Sequence, residues 1–187
     1  MIGQGDEPAA RGAAPAEDLP LDALAAAIRD ALAGPAGRGV PAVVWRDRES
    51  ELLLHLDRLQ VRTLAGTVVV AVDAESAEFG VAPLIVRFVF GDGKDPAPLV
   101  AATDEDALGH PALASRWGGL FRDVVWAAIV RLSVASADRR GLRPAAVLVD
   151  EGGVRLVAQP HVSLRRAALE HAASLWAATE RTGGEAQ

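Results

Sequence analysis

Three successive segments between Glu51 and Phe90 alternate apolar and other side chains, and this pattern constrains the fold more than any other feature. A period of two residues is typical of strands that bury one face. Only short polar connections separate the segments, which predicts neighbouring antiparallel strands. The apolar positions are Leu52, Leu54 and Leu56, then Val68, Val70 and Val72, then Leu84, Val86, Phe88 and Phe90.

The first of these segments changes phase along its length. Within 51–62 the apolar positions pass from Leu56 to Leu59 and Val61, so the alternation is interrupted after Leu56. A strand that slips in this way exchanges its buried and exposed faces unless an extra residue absorbs the change. The sequence therefore predicts a β-bulge near Asp57 and Arg58.

Other segments extend this strand pattern into an α+β chain. An antiparallel sheet with helices packed on it is expected, in the order α-β(4–5)-α-β-β-α. One domain should span 19–180, between disordered tails at 1–18 and 181–187 that are rich in Gly, Ala and charged residues. The additional elements are a helix over Asp18–Leu32, a strand over Val40–Trp45, an edge strand over Leu99–Ala102, a helix over Pro111–Arg140, strands over Ala145–Asp150 and Val154–Ala158, and a helix over Val162–Thr179.

This order of elements over 19–180 resembles that of the type III secretion chaperones and their bacterial relatives. Proteins of that group are small, acidic and usually dimeric. The resemblance implies a chaperone-like fold and a protein partner.

Composition excludes several classes of function. The chain has no Cys, so it forms no disulfide and offers no thiol ligand or cysteine nucleophile. A formal net charge of -6 with Lys94 as the only lysine argues against a nucleic-acid-binding face. No apolar run reaches the roughly 18 residues that a membrane span needs. The first residues lack the basic and apolar regions of a signal peptide, so we expect a cytoplasmic protein without membrane contact.

Motifs that would signal a particular chemistry are missing. The four His residues include no HExxH motif and no pair at the i, i+4 spacing that places two ligands on one helix face. The GxSxG elbow, the complete phosphate loop and the complete GxGxxG fingerprint are also missing. We therefore predict no catalytic residue, no cofactor and no metal site, and favour a non-enzymatic protein.

The long helix predicted over Pro111–Arg140 carries apolar residues on nearly every side. A broad stripe runs from Leu113 to Leu132, and Trp126, Val130 and Val134 lie on the far side. A helix that is apolar all round is buried on both sides. Either a terminal helix of the same chain or a second subunit covers the far side. We favour a homodimer with these three residues in its interface.

Two functions follow from these observations. The first is a protein-binding or chaperone-like module, in which an edge such as Leu99–Ala102 accepts an extended segment of a partner. The alternative is a small-molecule-binding protein or enzyme with a pocket between sheet and helices. In such a pocket, a carboxylate could orient an imidazole, an Arg could bind an anion and a Trp could form an apolar wall. The side chains proposed for it are His55, Asp57, His110, Arg116 and Trp117.

Overall fold

The computed structural model describes residues 16–35, 37–48, 50–99, 103–104 and 108–160. These ranges contain two antiparallel sheets and two helices, so the α+β prediction is confirmed. The buried side chains of both sheets and both helices form one cluster. The helix predicted over Val162–Thr179 lies outside the described residues.

Ten strands and two helices follow one another in these ranges. Helix, four long strands, long helix and a final strand pair occur in the predicted order, with short strands added between them. The elements are β1 (Glu17–Leu19), α1 (Leu21–Ala33), β2 (Ala42–Asp47), β3 (Ser50–Leu64), β4 (Thr67–Ser76), β5 (Gly80–Val89), β6 (Ala97–Pro98), β7 (Thr103–Asp104), β8 (Leu108–Gly109), α2 (Pro111–Asp138), β9 (Leu142–Asp150) and β10 (Gly153–Pro160).

The larger sheet has the order β2-β3-β4-β5-β7, and β8 also pairs with β5. Its alternating apolar residues form the buried face, as the period predicted. The predicted bulge is confirmed, because the register between β3 and β4 shifts between His55 and Gln60. Leu56 and Leu59 are both buried although they are three positions apart, which in a regular strand would place them on opposite faces. The carbonyl of Leu56 accepts a hydrogen bond from Arg29 Nε of α1 at 3.1 Å.

The smaller sheet has the order β1-β10-β9-β6 and corrects the predicted start of the structured chain. Glu17–Leu19, assigned from sequence to the tail and to the first helical turn, pairs as a strand with β10. Pro20 is extended, at φ -58° and ψ 134°, so α1 begins only at Leu21. A residue that precedes proline disfavours the helical region, which explains why Leu19 stays extended.

Among the described residues, a short edge strand lies just before the one expected at Leu99–Ala102. β6 occupies Ala97–Pro98 and pairs with β9, while Leu99 is 4% exposed. Residues 100–102 lie outside the described ranges. Because the Leu99 side chain is buried, it is not available to contact a segment of a partner at an open sheet edge.

Helix α2 packs against β5 of the larger sheet, β9 of the smaller sheet and α1. Pro111 occupies its first turn, as predicted, where the missing backbone N–H costs nothing. The helix ends at Asp138, two residues before the predicted end. Of the two helices in the described ranges, neither combines the length and the hydropathy that crossing a bilayer requires.

Gly66, in the turn between β3 and β4, joins the two sheets. Its N–H donates to the carbonyl of Val149 in β9 at 2.9 Å, and its carbonyl accepts from the N–H of Phe90 at 2.6 Å. A Cβ atom at this position would lie 2.2 Å from the carbonyl oxygen of Gly91, and φ is +67°. Only glycine combines this conformation with so close an approach.

Candidate functional site

Strand β2 forms one edge of the larger sheet. Within the described ranges it pairs with β3 alone, and the register runs without a shift from Ala42 opposite His55 to Asp47 opposite Ser50. Six consecutive residues therefore have one side that no other described strand occupies. An unpaired edge of this length is a template for another extended chain.

The direction of the backbone groups in β2 follows from its hairpin. Asp47 and Ser50 close a two-residue turn, and such a closing pair exchanges its two backbone hydrogen bonds. The carbonyl of Pro41 agrees with this phase, because it accepts from the N–H of Asp57 on β3 at 3.0 Å. The backbone N–H and C=O groups of Asp47, Trp45 and Val43 therefore face β3. Those that face the open edge belong to Ala42, Val44 and Arg46.

The β2 edge, defined as the outward side of Ala42–Asp47, is apolar over its first four residues. Val44 is 44% exposed. Natural edge strands are usually protected by lysine, proline or a bulge, none of which occurs between Ala42 and Trp45. Charge begins only at Arg46, whose Nε lies 2.8 Å from Glu51 Oε1 across the hairpin.

The inward side of β2 is held firmly by Trp45. Its Nε1–H donates to the carbonyl of Leu32 in the last turn of α1 at 3.1 Å, which satisfies a group that a helix end leaves unpaired. Its ring lies 6.4 Å from the ring of Trp117 in α2, between centroids. These two contacts fix the strand against both helices, so the edge is already extended before anything binds.

His55 and Asp57 do not form the pair that their spacing suggested. The alternation continues through Leu56, so both residues lie on the outer face of β3, with Asp57 exposed at the start of the bulge. The structure pairs His55 with Glu75 instead, at 3.4 Å between Nε2 and Oε2. In the described ranges no group of three or more His, Cys, Asp or Glu side chains is placed to hold a metal ion.

Three other candidates meet at one end of the larger sheet. The ring of His110, just before α2, lies 4.8 Å from the ring of Phe79. Arg116 and Trp117 line a cavity of about 90 Å³ beside the turn that contains Phe79. Sites for metabolites usually measure about 300–1,000 Å³. This cavity is therefore too small for the proposed pocket, and His55 lies on the other face of the sheet.

Two larger clefts lie away from all five pocket candidates. One of about 520 Å³ separates α1 from α2, and the other, of about 440 Å³, lies between β1 and the turn that joins β9 to β10. The first has small apolar residues such as Ala27, Ala31 and Ala128 beside Asp30 and Arg38. Neither brings together a nucleophile and a base.

The three predicted interface residues of α2 differ in their surroundings. Trp126 lies against β5, with its ring 5.6 Å from Phe88 and 6.2 Å from Phe90. Val130 is half-buried, and Val134 is 37% exposed. The chain itself thus covers the indole, and the exposed apolar surface of α2 lies further round the helix.

The perturbed carboxylates lie in turns and not in the candidate site. The Arg155 guanidinium, with Nη2 2.6 Å from Asp150 Oδ2, lowers the pKa of the Asp150 carboxyl, and the N–H of Gly152 adds to this effect. The N–H of Lys94 lowers the pKa of Asp92 in the same way. Hydrogen bonds to a carboxylate favour its charged form, so both shifts stabilise turns.

Sequence reasoning found β2 as a strand but missed its position at an open edge. Residues 42–45 contain no lysine, proline or other feature that protects an edge strand. This was a usable signal, because a strand without such protection is either internal to its sheet or an unprotected edge. Compared with known proteins, the chain matches no protein-family model, no curated protein and no solved structure.

Proposed function

We propose that this protein is a non-enzymatic, chaperone-like module that binds an extended segment of another protein along the β2 edge. The observation that carries the proposal is an edge strand, apolar over Ala42–Trp45, that pairs with no described strand on its outer side and is held from behind by Trp45. Main-chain hydrogen bonds supply affinity in this mode of recognition, and pockets for alternate side chains supply specificity.

The register of β2 defines the segment that fits. An added strand would bond to the outward N–H and C=O groups of Ala42, Val44 and Arg46. Its side chains would alternate between the outer face beside Val44 and the inner side beside Trp45. We expect apolar residues at alternate positions over about six residues. The net charge of -6 favours a segment flanked by basic residues.

Proline substitution distinguishes backbone pairing from side-chain contact. Val44→Pro removes an outward N–H and leaves the ladder to β3 intact, since an edge strand tolerates proline at such a position. Val44→Thr keeps the N–H and is the matched control. The wild type, Val44→Pro and Val44→Thr are each immobilised and used to capture partners from a cell extract. The bound proteins are then compared by mass spectrometry.

Partners that bind the wild type and Val44→Thr but are lost by Val44→Pro support the proposal. Identical recovery by all three baits, or no specific recovery by any, contradicts it. A further variant tests the phase of the backbone. Val43→Pro removes an N–H that faces β3 and should destabilise the fold by about 3 kcal/mol, whereas Val44→Pro should cost less than about 1 kcal/mol in chemical denaturation.

A further inference from the structure

The outward face of α2 carries one continuous strip of side chains. At about 100° per residue, Leu120, Asp123, Ala127, Val130, Arg131 and Val134 lie within one third of the helix circumference. Leu120 is 49% exposed and Val134 is 37% exposed. With Arg131 left aside, the other five are spaced by three, four, three and four residues, which is the pattern of a helix–helix seam. We name these six residues the α2 strip.

The α2 strip is complementary to itself when it is reversed. Leu120 precedes Ala127 by seven residues, and Val134 follows it by seven. Asp123 precedes Ala127 by four residues, and Arg131 follows it by four. A two-fold axis at Ala127 therefore places each leucine opposite a valine and each aspartate opposite an arginine of the other helix.

Residues outside the α2 strip agree with the same axis. Arg116 and Asp138 lie eleven residues on either side of Ala127, which adds an opposite-charge pair at each end. One apolar pair and two opposite-charge pairs thus share one centre.

The side chains of the α2 strip are oriented to take part. The Nε of Arg131 donates to the carbonyl of Ala127 at 3.1 Å, which lays the guanidinium along the helix surface. Asp123 lies 3.2 Å from Arg122 Nε, with 70% of its side chain exposed. Both charges are on the surface, where a second helix can meet them without the cost of burying an unpaired ion.

We infer that a second copy of this chain covers the α2 strip, in an antiparallel α2–α2 homodimer whose two-fold axis passes Ala127. Self-complementary surfaces of this kind form isologous interfaces. The inference is independent of the β2 edge. It retains Val130 and Val134 from the interface predicted by sequence and replaces Trp126 with Leu120, Asp123 and Ala127.

The axis can be tested with a single cysteine, because the chain has none of its own. Ala127→Cys places the two thiols of a dimer opposite each other, and mild oxidation should convert most of the protein to a covalent species of twice 19.4 kDa. Val134→Cys is the matched control. Its partner across the axis is Leu120, so it should form little covalent dimer.

A charge reversal tests the same register without cysteine. Asp123→Arg should raise the dimer Kd at least about tenfold, because two symmetry-related pairs become repulsive. The double variant Asp123→Arg with Arg131→Asp should restore the Kd to within about threefold. Val81→Glu, at a residue 57% exposed on the outer face of the larger sheet, should leave the Kd unchanged.

Sedimentation equilibrium at micromolar concentration supplies the readout, and circular dichroism shows whether each variant is folded. Rescue by the double variant together with crosslinking at Ala127→Cys supports the inference. A monomeric wild type overturns it. A dimer that neither crosslinks at Ala127→Cys nor responds to the charge reversal uses another face and also overturns it.

Discussion

Replacing Trp126 by alanine tests whether this indole belongs to the core of one chain. Its ring is stacked on Phe88 of β5 and lies close to Phe90, which follows that strand, and both Phe side chains are buried. Truncation of a fully buried tryptophan costs about 3–5 kcal/mol. Trp126 is half-buried, which lowers this cost to about 2 kcal/mol, and the loss of two aromatic contacts adds about 1–2 kcal/mol. We expect a total loss near 3 kcal/mol.

Thermal unfolding followed by circular dichroism at one fixed protein concentration measures this loss. For a chain of this size, about 3 kcal/mol corresponds to a fall in Tm of roughly 6–12 °C. Val81→Ala, at a residue 57% exposed on the outer face of the larger sheet, is the control and should change the free energy of unfolding by less than about 1 kcal/mol. The mass of each variant is measured in parallel by light scattering. A Trp126→Ala protein that keeps its Tm within about 2 °C but loses its dimer would place the indole between subunits and refute this reasoning.

Three further predictions concern the turns and the bulge. Gly66→Ala should cost more than about 3 kcal/mol in urea denaturation, whereas Gly80→Ala, with similar φ but open space around it, should cost about 1–2 kcal/mol; equal losses would contradict the close approach. The folded pKa of Asp150 is lowered, so its stabilisation is present above the unfolded pKa and is lost as pH falls through the folded pKa. Arg155→Gln should raise that pKa in a ¹³C NMR titration, and an unchanged value would exclude Arg155 as the main cause. Arg29→Met should cost about 1–2 kcal/mol in urea denaturation because a carbonyl in the bulge loses its donor, and unchanged stability would show that water replaces the guanidinium.

The alternation of side chains predicted most of the larger sheet. Buried and exposed positions in β3, β4 and β5 follow directly from a period of two, and the break after Leu56 marked the bulge. Strand β1 escaped this reasoning because three residues are too few to show a period. Its extended conformation depends on pairing with β10, more than a hundred residues later in the chain, which no local pattern encodes.

The candidate site was harder to predict than the fold. Periodicity tells which face of a strand is buried, but it does not tell the order of strands in a sheet, so periodicity alone did not reveal the edge position of β2. The spacing of His55 and Asp57 suggested that they form a pair, but His55 lies against Glu75 of the neighbouring strand, a contact that no local spacing predicts. Trp126 was assigned to the far side of α2 because, at about 100° per residue, it lies nearly opposite the broad apolar stripe. Contact with β5, β9 and α1 together extends the buried arc as far as this residue.

The two proposed surfaces are separate, and their combination has a consequence for affinity. The β2 edge lies at the border of the larger sheet, while the α2 strip belongs to a helix whose Trp117 reaches inward to Trp45. Val44→Pro should therefore leave the oligomeric mass unchanged, and Ala127→Cys should leave partner capture unchanged. In a dimer, two β2 edges related by the two-fold axis belong to one particle. A partner with two extended segments that span both edges would gain about 10²–10⁴ in apparent affinity over a single segment, whereas the charge-reversed monomer Asp123→Arg should bind both kinds of partner equally.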